Sequence, residues 1–323
     1  MKQFHISHVY NTDLGCEGIC DRKGSDRVYI YAALNPLRYS VSKRLDMKQS
    51  NFQLSTSYVL YYILLSRAQT FIEAYKSSGE REILLKTENL FEGSFFDVQR
   101  IVSKYGIAPL SAMPDRSCSH DNDVCYYLDN YLRYAASCID KGREEDFEKG
   151  IKKILFENLG TPPESFDLKY MDKTDEIKTL EGLTPLEFYK NYCGVNLDDY
   201  EALENSDETR LRAVKQLEDG DMVTVFCDIR HQSTQMLGVL DTELIDNSDM
   251  FANDVNMTRD EKIKYGIIKG NYYLTLDGAE VIDGDALRFK AQDCNGADTG
   301  ADGHYTMSRD WFDEYVLYAV IKK

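Results

Sequence analysis

The segment Arg22-Lys-Gly-Ser-Asp-Arg-Val-Tyr-Ile-Tyr-Ala-Ala-Leu-Asn-Pro-Leu-Arg38 decides how the chain is read. It opens as a polar, glycine-containing loop and runs into a mixture of aliphatic and aromatic residues. A helix that is apolar around most of its circumference belongs inside a protein, so the pattern predicts a buried central helix from Tyr29 to about Leu45. Pro36 has no N–H to give the carbonyl of Ala32, and its ring crowds that carbonyl, so a kink is expected there.

Helical patterns continue outward from this segment. Ser55 is a candidate N-cap for a second helix running to about Lys76, with Tyr58, Tyr62, Leu65 and Ile72 as its apolar stripe. Glu92 to Gly106 predicts a third, burying Phe95, Val98, Ile101, Val102 and Tyr105 and ending at Gly106 in a left-handed cap. Between about Asp121 and Leu159 two stripes flank the turn Lys141-Gly-Arg143, which reads as a helical hairpin. Thr184, Pro185 and Glu187 form a capping-box signature, and a short helix is expected from about Glu208 to Leu217, closed by Gly220. A linker-like shift lies near Asn205 to Thr209. Beyond it the period falls to two, and Met222–Ile229, Tyr272–Val281, Ala286–Gln292, His304–Met307 and Tyr315–Ile321 read as strands. Helices first and strands second give an α+β fold.

Composition narrows the function. The 323 residues carry a formal net charge of −17, which argues against nucleic acid and against an anionic membrane surface, since both require cations. No apolar run reaches the 18 residues of a membrane span, and Met-Lys-Gln-Phe-His-Ile-Ser-His lacks the apolar core of a signal peptide. A cytoplasmic protein is expected, its eight cysteines reduced. No cofactor is expected. His5, His8, Cys16 and Cys20 have the ligand types of a zinc site, but their spacing fits no familiar module; two surface histidines beside two thiols is the plainer reading.

Several phrases resemble the aminopeptidase C and bleomycin hydrolase family of papain-like cysteine peptidases. Arg27 and Ala32-Ala33-Leu34-Asn35 match its active-site segment; Phe52-Gln-Leu-Ser-Thr-Ser-Tyr58, Ile107-Ala-Pro-Leu-Ser-Ala-Met-Pro114, Leu159-Gly-Thr-Pro-Pro, Gly182-Leu-Thr-Pro-Leu-Glu-Phe-Tyr189 and Ser308-Arg-Asp-Trp-Phe-Asp-Glu-Tyr315 match others. The resemblance implies a single papain-like domain over 1–323. Its mainly helical lobe would be 1–115, a helical insertion 116–205, and a mainly β, barrel-like lobe 206–323. It also implies a peptide ligand and a homo-oligomer, the family being hexameric, or assembly with an active paralogue.

The same register removes the chemistry. The family's nucleophilic cysteine falls at Val28, its histidine at Tyr272, its asparagine at Asp293 and its oxyanion-hole glutamine at Arg22. Papain-type catalysis needs a thiolate held by an imidazolium. Val28 has no nucleophilic atom, and a tyrosine with an ordinary pKa near ~10 is a poor base. Arg22 puts a permanent charge where a neutral amide stood. In the cleft wall, Glu92-Gly93-Ser94 stands for Gly-Gly-Gln, which should narrow the cleft and charge it. The chain ends at Val320-Ile-Lys-Lys323 without the tail that makes the family aminopeptidases. The expectation is an inactive pseudopeptidase that acts by binding or assembly. The alternative is an active cysteine aminopeptidase with relocated residues, Cys294 being the first candidate and His304 its partner.

Overall fold

The computed structural model describes residues 7–48, 52–87, 92–116, 119–143, 145–245 and 256–323. A short strand β1 (Thr12–Asp13) precedes α1 (Val28–Arg44), α2 (Thr56–Ser77), α3 (Arg81–Thr87), α4 (Phe95–Tyr105), α5 (Ser119–Asp140) and α6 (Phe147–Leu159). A hairpin, β2 (Phe166–Met171) and β3 (Ile177–Leu183), then the single turn α7 (Pro185–Phe188), lead to β4 (Tyr200–Glu204) and α8 (Asp207–Glu218). The remainder is β5 (Val223–Cys227), β6 (Ser233–Thr234), β7 (Val239–Leu240), α9 (Arg259–Lys264), β8 (Tyr272–Ile282), β9 (Asp285–Gln292), β10 (His304–Ser308), α10 (Arg309–Tyr315) and β11 (Val316–Lys322).

One large sheet runs in the order β4-β11-β5-β8-β9-β10-β7-β6, with β1 added beside β8. Its pairs are antiparallel except β10 with β7. Two cores result. One joins α1, α2 and α4 to α6; the other lies under the sheet, where Phe289, Trp311 and Phe312 are fully buried among Val225, Leu274 and Leu276.

Helix α1 sits at the seam between them, buried from Tyr29 to Ser42 except at Tyr31 and Ser40. Pro36 is inside it, as the sequence requires, and the carbonyl it orphans is satisfied from the sheet. Thr224 Oγ1 donates to Ala32 O at 3.1 Å and Thr275 Oγ1 donates to the same atom at 3.3 Å. The two threonines face each other across β5 and β8 and are buried. A buried carbonyl without a donor is costly. The proline thus creates the acceptor by which the central helix docks on the β lobe.

Three expectations are corrected. The stretch 116–205 is not wholly helical: it contains the β2–β3 hairpin and contributes β4 to the large sheet, against β11. Most of β3 is exposed, so it has no alternation to read, and Tyr200-Glu-Ala-Leu-Glu204 consists largely of residues poor in strand preference, overridden by pairing. The Asn205–Thr209 stretch is no loose linker. Asn205 Nδ2 donates to the carbonyls of Phe312, Asp313 and Val316, and Ser206 caps α8. Gly106 has φ 80 but ψ −159, so it leaves α4 in an extended glycine conformation rather than a left-handed one. A Cβ there would overlap the Pro185 carbonyl.

Other local readings agree with the structure. Ser55 accepts from Tyr58 N at the start of α2, and Thr184 with Glu187 closes the capping box of α7. Among the described residues no helix is long and apolar enough to cross a membrane.

Candidate functional site at the head of the central helix

The loop before α1 is paired to the chain that follows β9. The N–H of Arg22 donates to Cys294 O at 2.8 Å and that of Gly296 to Cys20 O at 3.0 Å, with Asp21 and Asn295 facing as an antiparallel bridge. Within the loop Lys23 (φ 49) and Gly24 (φ 80) turn the chain through the left-handed region, and Ser25 N closes the turn on Arg22 O at 2.9 Å.

Three of the four positions assigned to catalysis by the motif register meet here. Tyr272, the first residue of β8, donates its hydroxyl to Asp293 Oδ1 at 2.7 Å. Asn295 Nδ2 donates to Asp293 Oδ2 at 2.7 Å and to the Tyr272 hydroxyl at 3.0 Å. The Asn295 Oδ1 accepts from Arg22 Nε at 2.6 Å, and Arg22 Nη1 donates to Ser25 O at 2.5 Å. Asp293 is buried and also accepts the N–H of Cys294 at 2.7 Å. Burial pushes the Tyr272 hydroxyl well above the usual tyrosine range, helped by neighbouring Cys294 and Asp293 and opposed by Arg22. That hydroxyl stays protonated and donates; it is no base.

The fourth position, Val28, is the first residue of α1, half-buried and packed on the helical-lobe core. No side chain caps α1: Arg27 at the N-cap has donors only, and its guanidinium is turned inward. Arg27 Nη1 donates to Thr56 Oγ1 (2.9 Å) and Ser57 Oγ (2.8 Å), and lies 3.6 Å from Asp115 Oδ1. Asp115 also accepts from Thr56 Oγ1 and Ser57 N, both at 2.7 Å.

The cleft-wall residues have different roles from those expected. Glu92 is exposed. Gly93 lies against the ring of Tyr29, which a Cβ would overlap, so its missing side chain makes room for an aromatic ring. Ser94 caps α4: its hydroxyl accepts from Asp97 N at 3.3 Å while Asp97 accepts from Ser94 N at 3.0 Å. Its hydroxyl serves the helix rather than the cleft.

Cys294 is buried, and burial with the adjacent Asp293 carboxylate raises its thiol far above the range of a reactive cysteine. His304 is turned elsewhere, its Nε2 3.0 Å from Asp277 Oδ2 and its Nδ1 3.0 Å from Asp302 O. Of the metal candidates, His8 Nδ1 lies 2.6 Å from Thr306 Oγ1, Cys20 donates to Gln53 Oε1 at 2.8 Å, and Cys16 packs with Tyr39 and Met222. His5 falls outside the described residues. Among those described, no three His, Cys, Asp or Glu side chains form a group able to hold a metal ion.

Beside the network opens a cleft of about 720 Å³, lined by the 21–27 loop, Tyr31, Gln53, Leu54, Leu110 and Pro114 to Arg116. Sequence reasoning missed Asn295, which joins Arg22, Tyr272 and Asp293, and Asp115, which holds Arg27. Asn295 lies two residues after Asp293, and a carboxamide so close to a candidate site residue was the available signal.

A model of the Peptidase C1-like family matches residues 2–212 and 204–323, which together span nearly the whole chain. The chain belongs to the Peptidase C1-like family. Aminopeptidase E of Lactobacillus helveticus is 28% identical over 371 aligned positions, covering 99% of this chain and 84% of that protein. Aminopeptidase C of Listeria monocytogenes is 26% identical over 367, covering 98% and 83%. The crystal structure of PepW from Lactobacillus rhamnosis HN001 superposes with a TM-score of 0.89 at 26% identity, covering 98% of this chain and 82% of that one. This member of the Peptidase C1-like family has the papain-like α+β fold.

Proposed function

We propose that this chain is an aminopeptidase C-like family member that binds peptides in its cleft without cleaving them. The observation that carries the reading is the pairing of Val28 at the head of α1 with Tyr272 used as a hydrogen-bond donor to Asp293. A cysteine peptidase needs a thiolate and a basic imidazole at those two places, and neither chemistry is available from these side chains. An intact oxyanion hole alone retains roughly 10³–10⁴-fold over water in other peptidases, far short of a working enzyme. The seven described cysteines are buried thiols, as fits the reducing cytoplasm, which is the compartment we propose. Self-assembly, or assembly with an active relative, is part of the same proposal and is measured by light scattering.

Fluorogenic aminoacyl substrates test it. No release above buffer is expected; release that a thiol-blocking reagent abolishes would overturn the reading. An epoxide inactivator of cysteine peptidases, followed by intact mass, is expected to leave Cys294 unlabelled, whereas stoichiometric labelling would favour a relocated active site.

A further inference from the structure

We infer that the cleft beside α1 is an anion receptor, and that its peptide ligand presents a carboxylate to Arg22. The inference rests on the peptide-binding reading above and names the ligand class.

The charge of the cleft opposes that of the protein. With a net −17 overall, the wall of this cleft carries Arg22, Lys23, Arg27 and Arg116 against Asp21 and Asp115. The two carboxylates are already engaged. Asp115 accepts from Thr56, Ser57 and Arg27, and Asp21 Oδ1 accepts the N–H of Lys23 at 2.8 Å. Among the described residues Arg22 donates to neutral oxygens, those of Asn295 and Ser25. A guanidinium has five N–H donors, so donors remain on Arg22 for a ligand, and a planar fork suits a carboxylate.

Arg22 is also held in place. Its Nε is fixed by Asn295, and Asn295 is fixed by Asp293 and Tyr272. The residues standing where catalysis would be thus orient a cation at the cleft wall, which lowers the ordering cost of binding. A second observation points to the same ligand. Ser25 is 5% exposed, lines the cleft, and its hydroxyl has no hydrogen-bond partner among the described residues. A buried hydroxyl without a partner is unfavourable, and a carboxylate oxygen held by Arg22 would accept from it. The head of α1, with no acidic residue in its first turn and no side-chain cap, adds a positive helix end.

The test uses the full chain and four unlabelled pentapeptides in isothermal titration calorimetry. They are Ala-Ala-Glu-Ala-Ala and Ala-Ala-Gln-Ala-Ala, each with a free or an amidated C-terminus. At least one peptide bearing a carboxylate is expected to bind about 10- to 100-fold more tightly than the amidated glutamine peptide, as for a lost charge-assisted bond. The free C-terminus and the glutamate arms separate a terminal from a side-chain carboxylate. Arg22→Gln and, more weakly, Ser25→Ala are expected to erase the preference, with thermal melts confirming that each variant folds. Asn295→Ala, which keeps Arg22 but frees it, is expected to weaken carboxylate peptides while leaving the amidated glutamine peptide unchanged. Equal binding of all four peptides, or a carboxylate preference that survives Arg22→Gln, would overturn the receptor but leave peptide binding standing. Absence of binding by every peptide would overturn both, and turnover would overturn only the inactive reading.

Discussion

The junction of the central helix with the sheet yields a quantitative test. Pro36 leaves the carbonyl of Ala32 without its helical donor, and Thr224 and Thr275 supply two hydroxyls instead, at 3.1 and 3.3 Å. Valine has nearly the shape of threonine and no hydroxyl. Thr224→Val or Thr275→Val alone leaves one donor, so each is expected to cost about 0.5–1.5 kcal/mol, the net worth of one hydrogen bond. The double variant strands a buried acceptor, which costs about 1–3 kcal/mol on top of the ordinary loss. With about 2.1 cal/mol/K of unfolding entropy per residue over 323 residues, a loss of about 2 kcal/mol lowers Tm by about 3 °C. The control is Pro36→Ala, which returns an N–H to the helix position that normally serves Ala32. In that background the valine pair is expected to cost about 1–2 kcal/mol less, a coupling energy of the size seen for groups in direct contact. Urea unfolding followed by the fluorescence of Trp311, the single tryptophan, which is buried in the β lobe, measures all of these. An identical cost of the valine pair with and without Pro36 would refute the reasoning, because the threonines would then act through other contacts.

Three further substitutions have definite expected outcomes. Gly106→Ala forces φ 80 and ψ −159 on a residue with a Cβ that overlaps the Pro185 carbonyl; a loss above about 2 kcal/mol is expected in denaturant titration. Gly142→Ala, also at positive φ but in open space, is expected to cost only about 1 kcal/mol. Val28→Cys places a thiol at the head of α1, yet no hydrolysis of aminoacyl fluorogenic substrates is expected, because the Tyr272 hydroxyl is a bound donor and cannot become the cationic partner of a thiolate. Measurable hydrolysis by this single variant would contradict that argument.

Much of the fold was readable because local and tertiary signals agree. Ser55, Thr184 and Pro185 begin helices for reasons contained within a few residues, and the long strands β8 and β9 and the helix α1 follow from hydropathy alone. What was not legible depends on partners far along the chain. β4 exists because β11 pairs with it, and Asn205 is rigid because three carbonyls from 312 to 316 converge on its amide. Pro36 announced a lost hydrogen bond, but not that threonines some 190 and 240 residues later would replace it. At the site, the register named Arg22, Tyr272 and Asp293 together, and their proximity is observed. Ser94 was placed in the cleft wall because its neighbours aligned there; its own chemistry, a serine three residues before an aspartate, already described a cap.

Arg22, Tyr272, Asp293 and Asn295 are fitted to one another. Asp293 accepts three donors at once: the Tyr272 hydroxyl, the Asn295 amide and the N–H of Cys294. An ionised carboxylate can do this because it is acceptor-only, with about four lone-pair sites. An asparagine there would turn its NH2 either towards the Tyr272 hydroxyl, which would have to rotate and accept, or towards the Asn295 amide, where donor meets donor. The direction then propagates outward, since Asn295 must aim its nitrogen at Asp293 and therefore offers its oxygen to Arg22. A glutamine at position 22 carries its amide nitrogen as far from Cα as the arginine Nε, so it could keep the bond to that oxygen, but it would lose the second anchor that Arg22 makes to Ser25 O. Arg22, Asn295, Asp293 and Tyr272 therefore act as one hydrogen-bonded unit, and Arg22 carries it to the cleft.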